Sequence, residues 1–144
     1  MAFSTIVAFA MPLIETLKKT SYTVNWMPII SGGIVILIGW FVVYFSNKTI
    51  AENWSPIIDK TQDQELIKEG IYSIVRHPLY FSGILILSGT NLYFQNTWSW
   101  LAVLLVFIVT LYRIPIEDKR LEERFDKEFI AYKEQTKSLI PWIL

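Results

Sequence analysis

Between Arg76 and Arg113 the chain runs 35 consecutive residues, Pro78 to Tyr112, without one charged side chain. As a single helix rising about 1.5 Å per residue that run would reach roughly 50 Å, well beyond a hydrocarbon core of about 30 Å. It therefore predicts a hairpin of two helices. The turn is expected within Gly89–Thr97, where Asn91, Gln95 and Asn96 supply polar groups. Tyr93, Phe94, Trp98 and Trp100 flank it like the aromatic belt of a membrane interface. Such a hairpin returns Arg113 to the face from which His77, the only histidine of the chain, departs.

The rest of the chain divides by charge. Val24–Ser46 holds 23 uncharged residues, enough for a second crossing. Its Ser31, Gly32, Gly33 and Gly39 are small enough to admit a neighbouring helix closely. Ala2–Leu17 is apolar but short, and Pro12 and Glu15 interrupt it, so it reads as a brief span or an interfacial helix. A signal peptide fits poorly, because no basic residue precedes the apolar run. The spans expected are about 3–17, 24–46, 78–94 and 97–113, in one domain covering 1–144, with polar segments 47–77 and 114–144 on one side. In the first of these segments Leu66, Ile67, Ile71 and Tyr72 recur at roughly helical spacing, as a stretch folding back on the membrane face would. In the second, Pro115 is placed to open a new helix, on which Leu121, Phe125, Phe129 and Tyr132 make one apolar stripe. The fold class is thus all-α: an integral membrane bundle of about four spans with a C-terminal amphipathic helix.

Composition narrows the function. A chain of 144 residues that is 53% hydrophobic is too apolar for an ordinary soluble domain, which makes the lipid bilayer its first partner. With no cysteine and one histidine, thiolate chemistry and a clustered metal centre are not expected. A net charge of +0 leaves no basic footprint for nucleic acid. Eleven of the 13 basic residues fall in Asn47–His77 and Arg113–Leu144, and only Lys18 and Lys19 fall elsewhere. The positive-inside rule places the eleven in the cytoplasm.

The hairpin gathers Arg76, His77, Tyr80, Arg113 and Glu117 at one membrane face. Pro78 favours the first turn of a helix, whose unpaired N–H groups suit a carboxylate or phosphate. A plainer account is that Arg76 and His77 snorkel to the surface and that Glu117 is an acid favoured by a helix dipole. No Gly-x-Gly-x-x-Gly or P-loop pattern is present, so neither nucleotide fingerprint is supported.

The order L-I-x-x-G-I-Y-x-x-x-R-H-P-x-Y, a hydrophobic hairpin, R-x-x-x-E-D-x-x-L-x-x-x-F-D-x-x-F-x-x-Y-K and a terminal P-W-I resembles isoprenylcysteine carboxyl methyltransferase and its prokaryotic relatives. The resemblance covers about Trp54–Ile143. It implies an integral membrane enzyme that uses S-adenosyl-L-methionine and methylates a hydrophobic or lipidated acceptor at the cytoplasmic face. By position, Gln64, Glu65, Leu66, Ile67, Tyr72, His77, Pro78, Leu79, Tyr80 and Glu117 are implied to line the cofactor site. Arg113 and Arg76 are the implied catalytic residues, with Arg113 facing the acceptor. A phospholipid N-methyltransferase shares similar motifs, and a non-catalytic membrane scaffold is the alternative outside the enzymes. The chain departs from the family where it has Gln64 for His, Ser82 for Gly and Asp126 for Gly, and Asp118 replaces a Glu.

Overall fold

The computed structural model describes residues 25–51, 65–95 and 97–144. The expected span 3–17, Val24 and Gln64 lie outside them. Among the described residues there are four α-helices and no strand: α1 (Trp26–Ala51), α2 (Pro78–Phe94), α3 (Trp100–Phe125) and α4 (Lys127–Gln135). A 3-10 turn, Gly70–Ser73, precedes α2. The helical spacing of Leu66, Ile67, Ile71 and Tyr72 thus yields only that turn, and residues 65–68 are irregular. Two compact units result: one holds residues up to Trp40 together with Ser82–Leu111, the other Phe41–Phe81 together with Tyr112–Leu144.

The first unit is uncharged throughout its described residues. Helices α1 and α3 are long and apolar enough to cross a membrane. Their large side chains point outward, with Leu37 70% and Leu101 63% exposed, faces that lipid rather than water would solvate. Inward, α1 and α2 approach backbone to backbone. A Cβ added at Gly32 would stand 2.5 Å from the Tyr93 nitrogen and 2.6 Å from the Gly89 carbonyl oxygen, so only glycine fits there. Gly89 is therefore a helix contact inside α2 and not part of the turn expected at Gly89–Thr97. Asn91, expected in that turn as well, is buried within α2. The chain reverses later, at Gln95, whose φ of 53° is left-handed and whose side-chain amide donates to the Asn25 carbonyl at 3.2 Å. Tyr93, Trp98 and Trp100 beside the turn are exposed, as an interfacial belt would be.

The second unit carries the charge. Its α1 portion ends near Thr49, which lies so close to Gly70 that a Cβ there would meet the threonine hydroxyl at 2.8 Å. Gly70 also has φ +57°, so glycine is required on both counts. Among its described residues Val75, Phe129 and Leu139 are the most fully enclosed apolar side chains, with Val42, Ile114 and Tyr132 also buried. Residues 75–77 run parallel to 137–138: Val75 and Lys137 form an isolated bridge. Arg76 N–H donates to the Lys137 carbonyl at 2.8 Å, and His77 N–H to that of Ser138 at 3.0 Å.

Pro115 does not open a helix. It lies inside α3, which continues from Trp100 to Phe125. Proline removes the intrahelical donor that would face the Leu111 carbonyl, yet both residues are on the exposed side of the helix, where the loss is least costly. The amphipathic helix breaks instead at Asp126, φ 45° and ψ −120°, and resumes as α4. Phe129 and Tyr132 of the expected stripe are buried, whereas Leu121 and Phe125 are half-buried.

Candidate active site

The chemistry-bearing side chains of the second unit meet where α2 begins and where α3 turns charged beyond Tyr112. Pro78 opens α2 as the motif predicts, and the His77 carbonyl accepts the first helical bond from Phe81 at 3.3 Å. His77 is thereby the residue before the first turn, its backbone pinned on the other side by Ser138. Its ring lies 5.8 Å from that of Tyr80, one turn on.

Two carboxylates from adjacent positions of α3 face this ring. Asp118 is buried, and its Oδ1 accepts from His77 Nε2 at 2.9 Å. Its Oδ2 accepts from Arg76 Nη2 at 3.0 Å. The Arg76 Nη1 donates in turn to the Thr136 carbonyl at 2.8 Å, and Thr136 Oγ1 to the Tyr132 carbonyl at 2.7 Å. Burial alone would push the Asp118 carboxyl up, but the hydrogen bonds from His77 and Arg76 and the charge of Arg76 outweigh it and hold it below the usual carboxylate range. With side chains only 7% and 8% exposed, Arg76 and Asp118 form a buried ion pair, a kind whose disruption is far costlier than that of a surface pair.

Glu117 is the more accessible acid, with its side chain 31% exposed. Its Oε1 accepts from the Tyr80 hydroxyl at 2.5 Å and lies 3.5 Å from Arg113 Nη2. Its Oε2 stands 3.6 Å from His77 Nδ1, too far for a hydrogen bond. Further out, the Tyr132 hydroxyl donates to the Tyr72 carbonyl at 2.7 Å. Burial raises both phenols, Tyr72 to about 12 and Tyr132 further, which keeps them protonated donors.

The structure thus brings together five residues expected to meet, Arg76, His77, Tyr80, Arg113 and Glu117, and adds Asp118. Of the others, Pro78 is buried at the helix start, Leu79 is exposed and Tyr72 is half-buried. Glu65 is exposed and Leu66 and Ile67 half-buried, and among the described residues no hydrogen bond or ion pair ties them to the cluster. Asp118 went unassigned because the apolar stripe directs attention to Glu117, four residues before Leu121. The available signal was the acidic pair itself.

A family model described as phospholipid methyltransferase matches residues 27–128, which include α2, α3 and all of α1 but its first residue. Over 139 residues the chain is 32% identical to the protein-S-isoprenylcysteine O-methyltransferase of Saccharomyces cerevisiae, covering 91% of this chain and 56% of that protein. It is 31% identical over 135 residues to a probable protein-S-isoprenylcysteine O-methyltransferase of Oryza sativa subsp. indica, covering 91% of this chain and 70% of the rice protein. A solved structure of a eukaryotic intramembrane Ras methyltransferase, isoprenylcysteine carboxyl methyltransferase, superposes with a TM-score of 0.79 at 23% identity, over 95% of this chain and 52% of its own. The chain spans about half the length of the yeast protein and of the solved one. With the matched region holding α2, α3, nearly all of α1 and the His77, Glu117 and Asp118 cluster, the chain belongs to the phospholipid methyltransferase family, and among its relatives stands with the isoprenylcysteine O-methyltransferases.

Proposed function

We propose that the chain is a multi-pass membrane methyltransferase that uses S-adenosyl-L-methionine to methylate the carboxylate of a hydrophobic or lipid-linked acceptor, in the manner of its isoprenylcysteine-directed relatives. The observation that carries this reading is the half-buried Glu117, held by Tyr80 and facing His77 and Arg113 where the apolar part of α3 ends. The donor set fits the cofactor. An amino acid that also bears a sulfonium and a nucleoside calls for an acid toward its ammonium and for aromatic faces. Glu117, Tyr80 and Tyr72 supply those types. In this reading Gln64, Glu65, Leu66, Ile67, Tyr72, His77, Pro78, Leu79, Tyr80 and Glu117 line the cofactor site, and the division of basic residues puts it on the cytoplasmic face.

When bound, the cofactor supplies an activated methyl group that a carboxylate oxygen attacks directly, so no general base is needed. What the protein's residues contribute is alignment and exclusion of water. Arg113 presents a planar fork that matches an acceptor carboxylate. Tyr80 fixes Glu117, and Arg76 acts at one remove by holding Asp118. A second reading is favoured by the description of the family itself: an amine-bearing phospholipid as acceptor. The cationic Arg113 argues for the anionic acceptor.

The test is methyl transfer from radiolabelled cofactor to a prenylcysteine and, in parallel, to phosphatidylethanolamine, with cofactor affinity measured by calorimetry. Prenylcysteine labelling is expected, together with an affinity roughly tenfold or more weaker in both His77→Ala and Glu117→Ala, as the loss of a charged hydrogen bond gives. No cofactor binding by the wild-type protein would overturn the reading. Labelling of the phospholipid alone would transfer it to the second acceptor.

A further inference from the structure

His77 is held at several points, and what those points leave over defines a seat. Its N–H is taken by Ser138, its carbonyl by Phe81, and its Nε2 by Asp118. Both Asp118 oxygens already accept, one from Arg76 and one from His77. An ionised carboxylate can only accept, so the proton of the 2.9 Å contact belongs to Nε2. In the neutral ring Nδ1 is then a lone pair, and it stands 3.6 Å from Glu117 Oε2. Glu117 Oε1 is engaged by Tyr80, which leaves Oε2 as the oxygen turned toward His77. Two acceptors so placed do not bond each other; they are close enough for one donor group to serve both.

We infer that Asp118 is a positioning residue that fixes His77 in the Nε2–H tautomer, so that Nδ1 and Glu117 Oε2 form a two-acceptor seat for a primary ammonium. Resting on the proposed function, the ammonium is that of the methyl donor's amino-acid end. His77 is accordingly an acceptor toward the cofactor, and the helix start at Pro78 does not turn it into a carboxylate ligand. Arg76 has a part in this: by countering the Asp118 charge it lets the buried acid stay ionised beside a neutral ring.

Because His77 is the only histidine, the tautomer can be read without assignment. The experiment is nitrogen NMR of the full chain labelled with ¹⁵N-histidine in lipid nanodiscs, at neutral pH, before and after adding S-adenosyl-L-methionine. Expected is a protonated Nε2 and a lone-pair Nδ1, with the Nδ1 resonance moving when the cofactor is added. Asp118→Asn should lose the single tautomer and bind the cofactor roughly tenfold or more weakly, and Asp118→Glu should restore both. A wild-type ring protonated at Nδ1, alone or together with Nε2, would overturn the inference, and that measurement needs no variant to fold. So would an Asp118→Asn protein that keeps the Nε2–H tautomer with undiminished affinity. An expected wild-type tautomer with no cofactor binding at all would count against the methyltransferase reading instead, leaving the role of Asp118 in the ring's tautomer intact.

Discussion

The uncharged unit and the charged unit of this chain are held by opposite means. Residues 25–40 and 82–111 contain no Asp, Glu, Lys, Arg or His, and their helices present most of their large side chains outward. In a lipid surrounding, apolar burial drives nothing, so helix association depends on backbone proximity, which Gly32, Gly39 and Gly89 provide. The unit of 41–81 and 112–144 is organised by directed polar contacts: Arg76 with Asp118 and Thr136, His77 with Asp118 and Ser138, and Tyr132 with Tyr72. One unit should be hurt by adding atoms and the other by removing partners.

The most severe break of that contrast is Arg76→Met. It preserves much of the side-chain volume but leaves the buried Asp118 carboxylate with His77 alone, and stranding a buried charge costs about 3–5 kcal/mol. Thermal unfolding in nanodiscs should show the loss, with amide exchange rising first at Arg76 and His77. Unchanged exchange there would mean that the ion pair does not organise the unit. Next is Gly32→Ala, whose new methyl meets backbone atoms of α2 and must push the helices apart, at about 1–3 kcal/mol. Gly33→Ala is the control, since nothing lies within 4 Å of its added Cβ. It should change stability by less than about 0.5 kcal/mol. Equal effects of the two alanines would refute the close approach.

The same contrast explains how much of the molecule was legible in the sequence. The uncharged runs define their helices almost by themselves, and α2 begins and ends at the expected Pro78 and Phe94. Local signals failed where a distant segment decides. Pro115 carries the mark of a helix start, but the helix entering from Trp100 continues through it on an exposed face. Asp118 is one position and about 100° around the helix from Glu117. It is buried because Arg76 awaits it, and Arg76 is held by Thr136 and Lys137, more than fifty residues further along. No periodicity in α3 reports that. The cluster of His77, Arg113 and Glu117 was legible because it follows from hairpin geometry alone.

Acid should separate the units more gently. The Asp118 carboxyl is held below its ordinary value in the folded protein, so its stabilising contribution is complete above the unfolded value of about 3.9 and is lost as pH falls through the folded one. The uncharged unit has no carboxylate or imidazole among its described residues. Amide exchange at Arg76 and His77 should therefore rise on acidification below about pH 4 after correction for intrinsic rates, while that of residues 84–92 in α2 stays constant. A parallel rise in both regions would show that the units open together.

The smallest expected effect is a gain. Asp126 separates α3 from α4 with φ 45° and ψ −120°, a combination that a side chain disfavours and that glycine adopts freely. An aspartate before a helix ordinarily compensates by capping it, but the Asp126 side chain makes no such hydrogen bond. The contacts that matter are made by its backbone: its N–H donates to the Glu122 carbonyl at 2.9 Å, and its carbonyl accepts from Ile130 at 3.2 Å. Glycine would keep both. It would also remove an acid from the start of α4, a loss of about 0.3–1 kcal/mol, and add freedom to the unfolded chain, so relief of strain of about 1–3 kcal/mol leaves a net gain near 1 kcal/mol. Asp126→Gly is thus expected to raise the unfolding temperature slightly. Asp126→Ala keeps the Cβ and the strain while discarding the same charge, so it should lower stability. Alanine and glycine acting alike would show that the left-handed backbone costs this protein nothing.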